Sequence, residues 1–344
     1  MAVKYAYLIF SLPFPFPREI NTFRFDESTQ LYEGNIRDQI HGPNSKHWQD
    51  WLGSLTWETL CKNKLILSTW SESENTEVLD KENAALLEKI STIFRILPLL
   101  APLSPPFDEV FIFSGKGTLS PKGLCAEDIR SFSRVECWTR SYYNEHHWDN
   151  FYKWAENEVT NPSLLDTWRI CYLHYNQLFI QGGNNRQIFE GYRSFEEAMR
   201  GTQLEFKMPN LVRALECIIN CWGAEAFAKK VLFLTGLPSQ TLPYSIATNT
   251  EELLRDLYQL RNDCSHGKPF AYSLEKSLKK TPDGELIAKY EFLAEWAARK
   301  VLNDSFINST ILQYTHNRDA LVSAWDNNLI KPLKFSYYFI EAKG

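Results

Sequence analysis

The chain lacks the marks of several protein classes. No CxxC pair occurs among its seven cysteines, at positions 61, 125, 137, 171, 217, 221 and 264, and an odd count without paired spacing makes no disulfide framework. Cys217 and Cys221 lie four apart in an apolar helical pattern. No His or Cys stands at ligand spacing to complete a metal site with them, so they read as small core residues in a reducing compartment. A phosphate loop of the GxxxxGK type is also missing: Ser114-Gly115-Lys116-Gly117-Thr118 is glycine-rich but wrongly spaced, and is expected to form a turn after a strand. The apolar run Ile93–Leu103 is interrupted by Arg95 and Pro98 and falls short of the roughly 20 apolar residues that span a bilayer. Lys4 followed by Tyr5–Leu12 loosely imitates a secretion signal, but Pro13, Pro15 and Pro17 follow without a small-residue cleavage site. A soluble, cytoplasmic protein without a membrane partner is expected. Repeats and low-complexity stretches are lacking too.

A basic excess is the other absence. The formal charge is −5. Residues 1–160 hold 16 Lys and Arg against 22 Asp and Glu, a net of −6, and residues 161–344 hold 21 against 20, a net of +1. Neither half can grip long nucleic acid by neutralising many phosphates. An RNA substrate would meet a small site, be a folded RNA, or depend on a second subunit.

What is present is core-forming material: 44% hydrophobic residues and 14% aromatic, including 11 Trp and 22 Phe, which excludes disorder. A length of 344 residues suits two domains. The first, 1–160, reads as mixed α/β. Strands are expected at Lys4–Leu12, Thr22–Phe25, Lys64–Trp70 and Glu109–Phe113, and amphipathic helices at His47–Leu60 and Asp80–Leu97. Residues 127–160 concentrate aromatics, among them Trp138, Trp148 and Trp154, and are expected to add one or two helices. The boundary is placed near Asn161-Pro162, because a proline disfavours helix at the residue before it.

Residues 161–344 read as helical throughout. Helices are expected over Leu164–Ile180, Gln187–Arg200, from Pro209 through Trp222, from Asn249 or Thr250 to Gly267, over Gly284–Leu302 and over Arg318–Asn328. In the third, Leu211, Leu215, Ile218, Ile219 and Trp222 share one helical face. In the fourth, Glu251 and Glu252 suit the positive end of the helix dipole, and Gly267 and Pro269 form a stop.

The chemistry-bearing stretch is Leu257-Tyr258-Gln259-Leu260-Arg261-Asn262-Asp263-Cys264-Ser265-His266-Gly267. A histidine exchanges protons near neutral pH, and an arginine stays charged and holds phosphate oxygens as charge builds on them. RNA brings its own nucleophile, the 2′-hydroxyl, so the chemistry requires no metal or cofactor. Plain alternatives stand beside this reading. Arg261 can serve as a surface ion-pair partner of Asp263 or Glu216, and His266 can cap a helix C-terminus, where a partly charged imidazole is favoured.

This stretch resembles the HEPN superfamily, whose signature is an Arg, four to six residues and a His. It is closest to the Apea-like HEPN group, which shows an apolar-Tyr-x-Leu-Arg lead, here Leu257–Arg261, and a His-Gly end, here His266-Gly267. Asn262 matches the polar residue often found after the Arg, and Ala214-Leu215-Glu216 matches an upstream helix core. The resemblance covers roughly residues 185–305. It implies an α+β chain in which an all-α HEPN-like bundle over 161–344 follows the mixed domain. It also implies a homodimer with two motifs facing each other, and a metal-independent endoribonuclease with a defence or toxin role; other members keep the fold without cleavage.

In that reading His266 transfers the proton, Arg261 stabilises the phosphate, and Asn262 either bonds the phosphate or holds Arg261. Glu216 either orients Arg261 or is a surface carboxylate, and Asp263 is the other carboxylate placed to support the arginine. Spacing alone is weak: 16 Arg and seven His give about one chance match. Arg140 also pairs with His146 and His147, and Arg169 with His174, but only Arg261 and His266 combine a polar follower, a glycine and a helix stop. Two rivals remain: a non-catalytic HEPN module that binds a nucleotide or protein, and a sensor or scaffold that uses the aromatic N-terminal half, where a protein or ligand trigger would act. Five residues along a helix turn through about 500°, so Arg261 and His266 point about 140° apart unless the helix is unwinding at His266 or each site draws on two subunits.

Overall fold

The computed structural model describes residues 2–10, 22–39, 43–63, 65–72, 80–100, 110–120, 123–128, 131–135, 162–175, 186–201, 203–235, 250–307, 318–327 and 329. The fold is α+β. It divides into two compact units, a sheet-containing one and a helical one.

The first unit is an antiparallel sheet of β1 (Ala2–Phe10), β2 (Thr22–Asp26), β3 (Thr29–Glu33), β4 (Leu65–Glu72), β5 (Val110–Ser120), β6 (Gly123–Ala126) and β7 (Ser131–Val135). The order is β2-β3-β4-β1-β5-β6, with β7 also paired to β5. Central β1 has both faces buried. Val3, Tyr5, Tyr7 and Ile9 alternate onto one face, where they meet Trp48, Trp57 and Leu60 from α2 (Pro43–Leu52) and α3 (Ser54–Lys62), while Ile36 comes from the short α1 (Ile36–Gln39). The other face receives α4 (Asp80–Leu100): the rings of Phe10 and Phe94 are 5.1 Å apart, and buried Lys4 is paired with Glu82. Residues 3–10 of β1 are all buried, and their near-continuous apolar run is what a strand covered on both faces needs.

Three expectations for this unit are corrected. The helix expected over 47–60 is two helices, broken at Gly53, whose φ of +81° suits glycine. Ser114–Thr118 is no turn but the middle of β5. Side chains at Gly115 and Gly117 would collide with the carbonyls of Asp128 and Cys125, so these glycines admit a close backbone neighbour. Residues 131–135 are strand, not helix; Trp138, Trp148, Trp154 and the Arg140, His146 and His147 set lie outside the described residues.

The helical unit takes in most of α5 (Pro162–Tyr175) and contains α6 (Arg186–Arg200), α7 (Leu204–Ile219), α8 (Ala224–Thr235), α9 (Thr250–Ser265), α10 (Phe270–Lys276), α11 (Gly284–Ile307) and α12 (Arg318–Asp326). α7 packs against α6, α8, α9 and α11. It buries Met208, Leu211, Val212, Ala214, Leu215, Ile218 and Ile219, and Gly191 of α6 lets the two backbones approach: a Cβ there would lie 3.0 Å from the Ala214 carbonyl oxygen. α7 begins at Leu204, not after Pro209; the proline sits inside the helix, where it removes the bond to the residue four before it and crowds that residue's carbonyl. α8 and α10 were not expected.

Among the described residues, no helix is long and apolar enough to cross a membrane.

Candidate functional site

α9 is amphipathic, with Leu253, Leu254, Leu257, Leu260 and Cys264 buried. Tyr258, Arg261 and Asn262 are three and four residues apart and share its half-buried face. This face lies along α7, and three contacts fix the direction. The Phe270 N–H donates to Glu205 Oε1 (3.2 Å), Arg261 forms an ion pair with Glu216, and the Gly223 N–H donates to the Tyr258 hydroxyl (3.2 Å). Numbers rise along one helix as they fall along the other, so α7 and α9 run antiparallel.

Arg261 is held from three sides. Glu216 binds Nη2, the Asn262 side-chain oxygen accepts from Nη1 (2.7 Å), and the Tyr258 ring lies 4.8 Å from the guanidinium carbon. About a fifth of each ion-paired side chain stays open to solvent, 22% for Arg261 and 19% for Glu216. Burial, and then the nearby Arg213 guanidinium, hold the Arg261 pKa below its ordinary value, although an arginine stays charged at neutral pH regardless. Asn262 and Glu216 thus both bond Arg261 in the free protein.

α9 closes on a C-terminal cap. The Lys268 N–H reaches back to the Asp263 carbonyl (3.1 Å) and the Gly267 N–H to Cys264 (2.9 Å), with Gly267 at φ +80°; this is a Schellman motif. Asp263 is part of that closure and not of the arginine's surroundings. Its buried carboxylate accepts from Lys268 Nζ (2.9 Å) and from Gln259. Burial raises the Asp263 carboxyl, but hydrogen bonds from Ser277 and Lys268 outweigh it and leave the pKa lowered.

His266 is the last residue before the glycine. Its ring is exposed, and among the described residues no hydrogen bond or ion pair engages it. Its backbone N–H still bonds the carbonyls of Asn262 and Asp263, both at 3.1 Å. Helical rotation therefore continues up to His266, and Arg261 and His266 diverge by about 140° around the axis. One chain brings Arg261, Asn262, Glu216 and Tyr258 together and leaves the imidazole facing elsewhere.

Sequence reasoning missed Arg213. It stands one helical turn before Glu216 on α7, exposed, and near enough to Arg261 to depress its pKa. The available signal was the Arg213-Ala214-Leu215-Glu216 spacing, which puts both polar residues on one helix face. The alternative pair fares differently. Arg169 is bonded to Asp166 one turn earlier (2.8 Å), an ordinary helix-surface pair. Among the described residues, no group of three or more His, Cys, Asp or Glu is arranged to hold a metal, and Cys217 and Cys221 form no disulfide and are half-buried.

No family model matches the chain, and no curated protein or solved structure matches it.

Proposed function

We propose that this protein is a metal-independent endoribonuclease of HEPN type, active as a homodimer in which His266 of one copy works beside Arg261 of the other. The observation that supports it is the division of labour at the end of α9. A guanidinium is pre-positioned by Glu216, Asn262 and Tyr258 with part of its surface open, and an unengaged imidazole stands one turn on, rotated away from it. A two-fold axis near the helix end turns that divergence into two composite sites.

In each site the 2′-oxygen attacks the adjacent phosphorus while His266 takes the 2′-hydroxyl proton. The bond from phosphorus to the 5′-oxygen breaks, and the imidazolium returns a proton to that oxygen. The products are a 2′,3′-cyclic phosphate and a 5′-hydroxyl. Arg261 stabilises the charge that builds on the non-bridging oxygens, and Asn262 either holds the arginine or turns to the phosphate. Such proton transfer accelerates a reaction by roughly 10²–10⁴-fold.

The test is purified protein mixed with total RNA in EDTA, with the product ends identified. Wild type is expected to cleave to cyclic phosphate ends, and Arg261→Ala and His266→Ala to lose the activity. Equal cleavage by both variants sinks the reading. One observation favours a second reading, a non-catalytic HEPN module: the Arg261 guanidinium is already occupied by Glu216. That reading predicts RNA or nucleotide binding without cleavage.

A further inference from the structure

Arg213 is an exposed guanidinium on α7, and among the described residues no hydrogen bond or ion pair engages it. Its place follows from the antiparallel packing. Glu216 is level with Arg261, so Arg213 lies about 4.5 Å farther toward the His266 end of α9, while His266 lies about 7.5 Å beyond Arg261 in the same direction. Arg213 therefore sits at an axial level between the two proposed site residues. The Arg213 charge is near enough to Arg261 to lower its pKa, and Glu216 neutralises only one of the two. The trio carries a net charge of +1, which an anion of the size and bidentate geometry of a phosphate would balance.

A second feature lies on the other side of Arg261 from Arg213, toward Tyr258. Trp222 is 87% exposed in the turn between α7 and α8. The next residue, Gly223, has φ +92° and donates its N–H to the hydroxyl of Tyr258, whose ring lies against Arg261. This ties the turn that carries the open indole to the wall of the arginine cluster. An open indole face stacks on an unpaired base, whereas bases inside a duplex are already stacked. The net +1 of residues 161–344 is also too small for the extended phosphate grip that duplex binding uses.

We infer that Arg213 and Arg261 jointly seat one phosphate of the RNA and that Trp222 stacks an unpaired base farther along the same strand. The identity of the anion as RNA rests on the ribonuclease reading; the paired-arginine seat does not.

The test uses the full chain and a labelled 2′-O-methyl oligoribonucleotide, which lacks the nucleophile and so reports binding without cleavage. Affinity is measured by fluorescence anisotropy across a salt series. Arg213→Ala is expected to lower the slope of log affinity against log salt by about 0.7, the share of one single-strand phosphate contact, and Arg213→Lys to restore it. Trp222→Ala is expected to weaken binding about tenfold with the slope unchanged, and the same sequence as a duplex to bind more weakly than the strand. Both residues are exposed, so the variants should melt with the wild type.

A slope unchanged in Arg213→Ala overturns the phosphate seat. An unchanged affinity in Trp222→Ala, or equal binding of duplex and strand, overturns the stacking of an unpaired base on Trp222. Binding with these dependences but no cleavage of ordinary RNA keeps the seat and removes the nuclease, and cleavage with Arg213-independent binding does the reverse. No binding by wild type overturns both.

Discussion

Lys207 and Arg213 stand six residues apart on α7, and their surroundings are opposite. Lys207 is sealed in the helical unit with Glu291, Glu295 and Arg299 of α11, all four essentially without solvent contact. Lys207 is paired with Glu291 and lies 3.1 Å from Glu295, which in turn accepts from Arg299 at 2.6 Å. Arg299 also rests 5.2 Å from the Phe195 ring. Two cations meet two carboxylates, so these four charges are balanced inside the fold. Arg213, Glu216 and Arg261 are unbalanced by one positive charge and open to water. A buried cluster of paired charges supports the structure, because a ligand would have to break those pairs. An open cluster with a cation to spare has capacity left for an anion.

The widest gap between the two clusters should appear in stability. Removing one member of a buried pair strands its partner's charge, at a cost of about 3–5 kcal/mol. Lys207→Ala is therefore expected to destabilise by that order in urea unfolding, while Arg213→Ala, on the surface, stays within about 0.5 kcal/mol of wild type. Similar losses from the two substitutions would erase the distinction.

The buried cluster also sets an acid limit. Burial alone raises the Glu295 carboxyl, but Lys207 and Arg299 beside it pull it down to about 2. A carboxylate depressed in the folded state gives stability that is fully present above its ordinary value of 4.5 and is lost as pH falls from there through about 2. Unfolding free energy followed from pH 5 downward should decline across that window, and the decline should be smaller in Glu295→Gln, which has no proton to take up. A Glu295→Gln profile parallel to wild type would show that other carboxylates carry the acid sensitivity.

The open cluster can be probed by mixing two inactive variants. If each site takes Arg261 from one copy and His266 from the other, Arg261→Ala and His266→Ala chains combined at equal amounts form heterodimers in which one of two sites is intact. Random assortment then restores about a quarter of wild-type sites. Sites contained within one chain would stay inactive in every combination. The regained activity therefore decides whether the divergence of Arg261 and His266 around α9 is bridged by symmetry or means that they do not act together.

The two regions were also unequally legible in the sequence. The end of α9 could be read because its signals are local: acidic residues in the first turn, a buried 3–4 spacing, and Gly267 at the one position that demands positive φ. The apolar run of β1 was legible for the same reason. What failed depended on distant partners. Gly115 and Gly117 looked like a turn because nothing in their neighbourhood announces the Asp128 and Cys125 carbonyls that press on them. Pro209 looked like a helix start because its tolerance inside α7 is set by packing. Arg213 went unnoticed because its importance lies across the helix interface, in its nearness to Arg261.

The smallest expected effect is the most informative about Glu216. This carboxylate has two opposed consequences: it fixes the guanidinium where a phosphate would meet it, and it competes with that phosphate for the same N–H donors. Glu216→Gln keeps the size and a hydrogen-bond acceptor but removes the charge, raising the net charge of the trio from +1 to +2. Substrate should then bind a few-fold more tightly, with a steeper salt dependence, since one more uncompensated cation faces the strand. Turnover should fall, because the guanidinium is less firmly held at the geometry where charge develops. Steady-state cleavage would show this as KM and kcat falling together. If kcat rises instead, Glu216 acts mainly as a competitor that keeps Arg261 occupied until RNA arrives. If neither changes, the ion pair is a surface contact and the orientation of Arg261 is set by Tyr258 and Asn262.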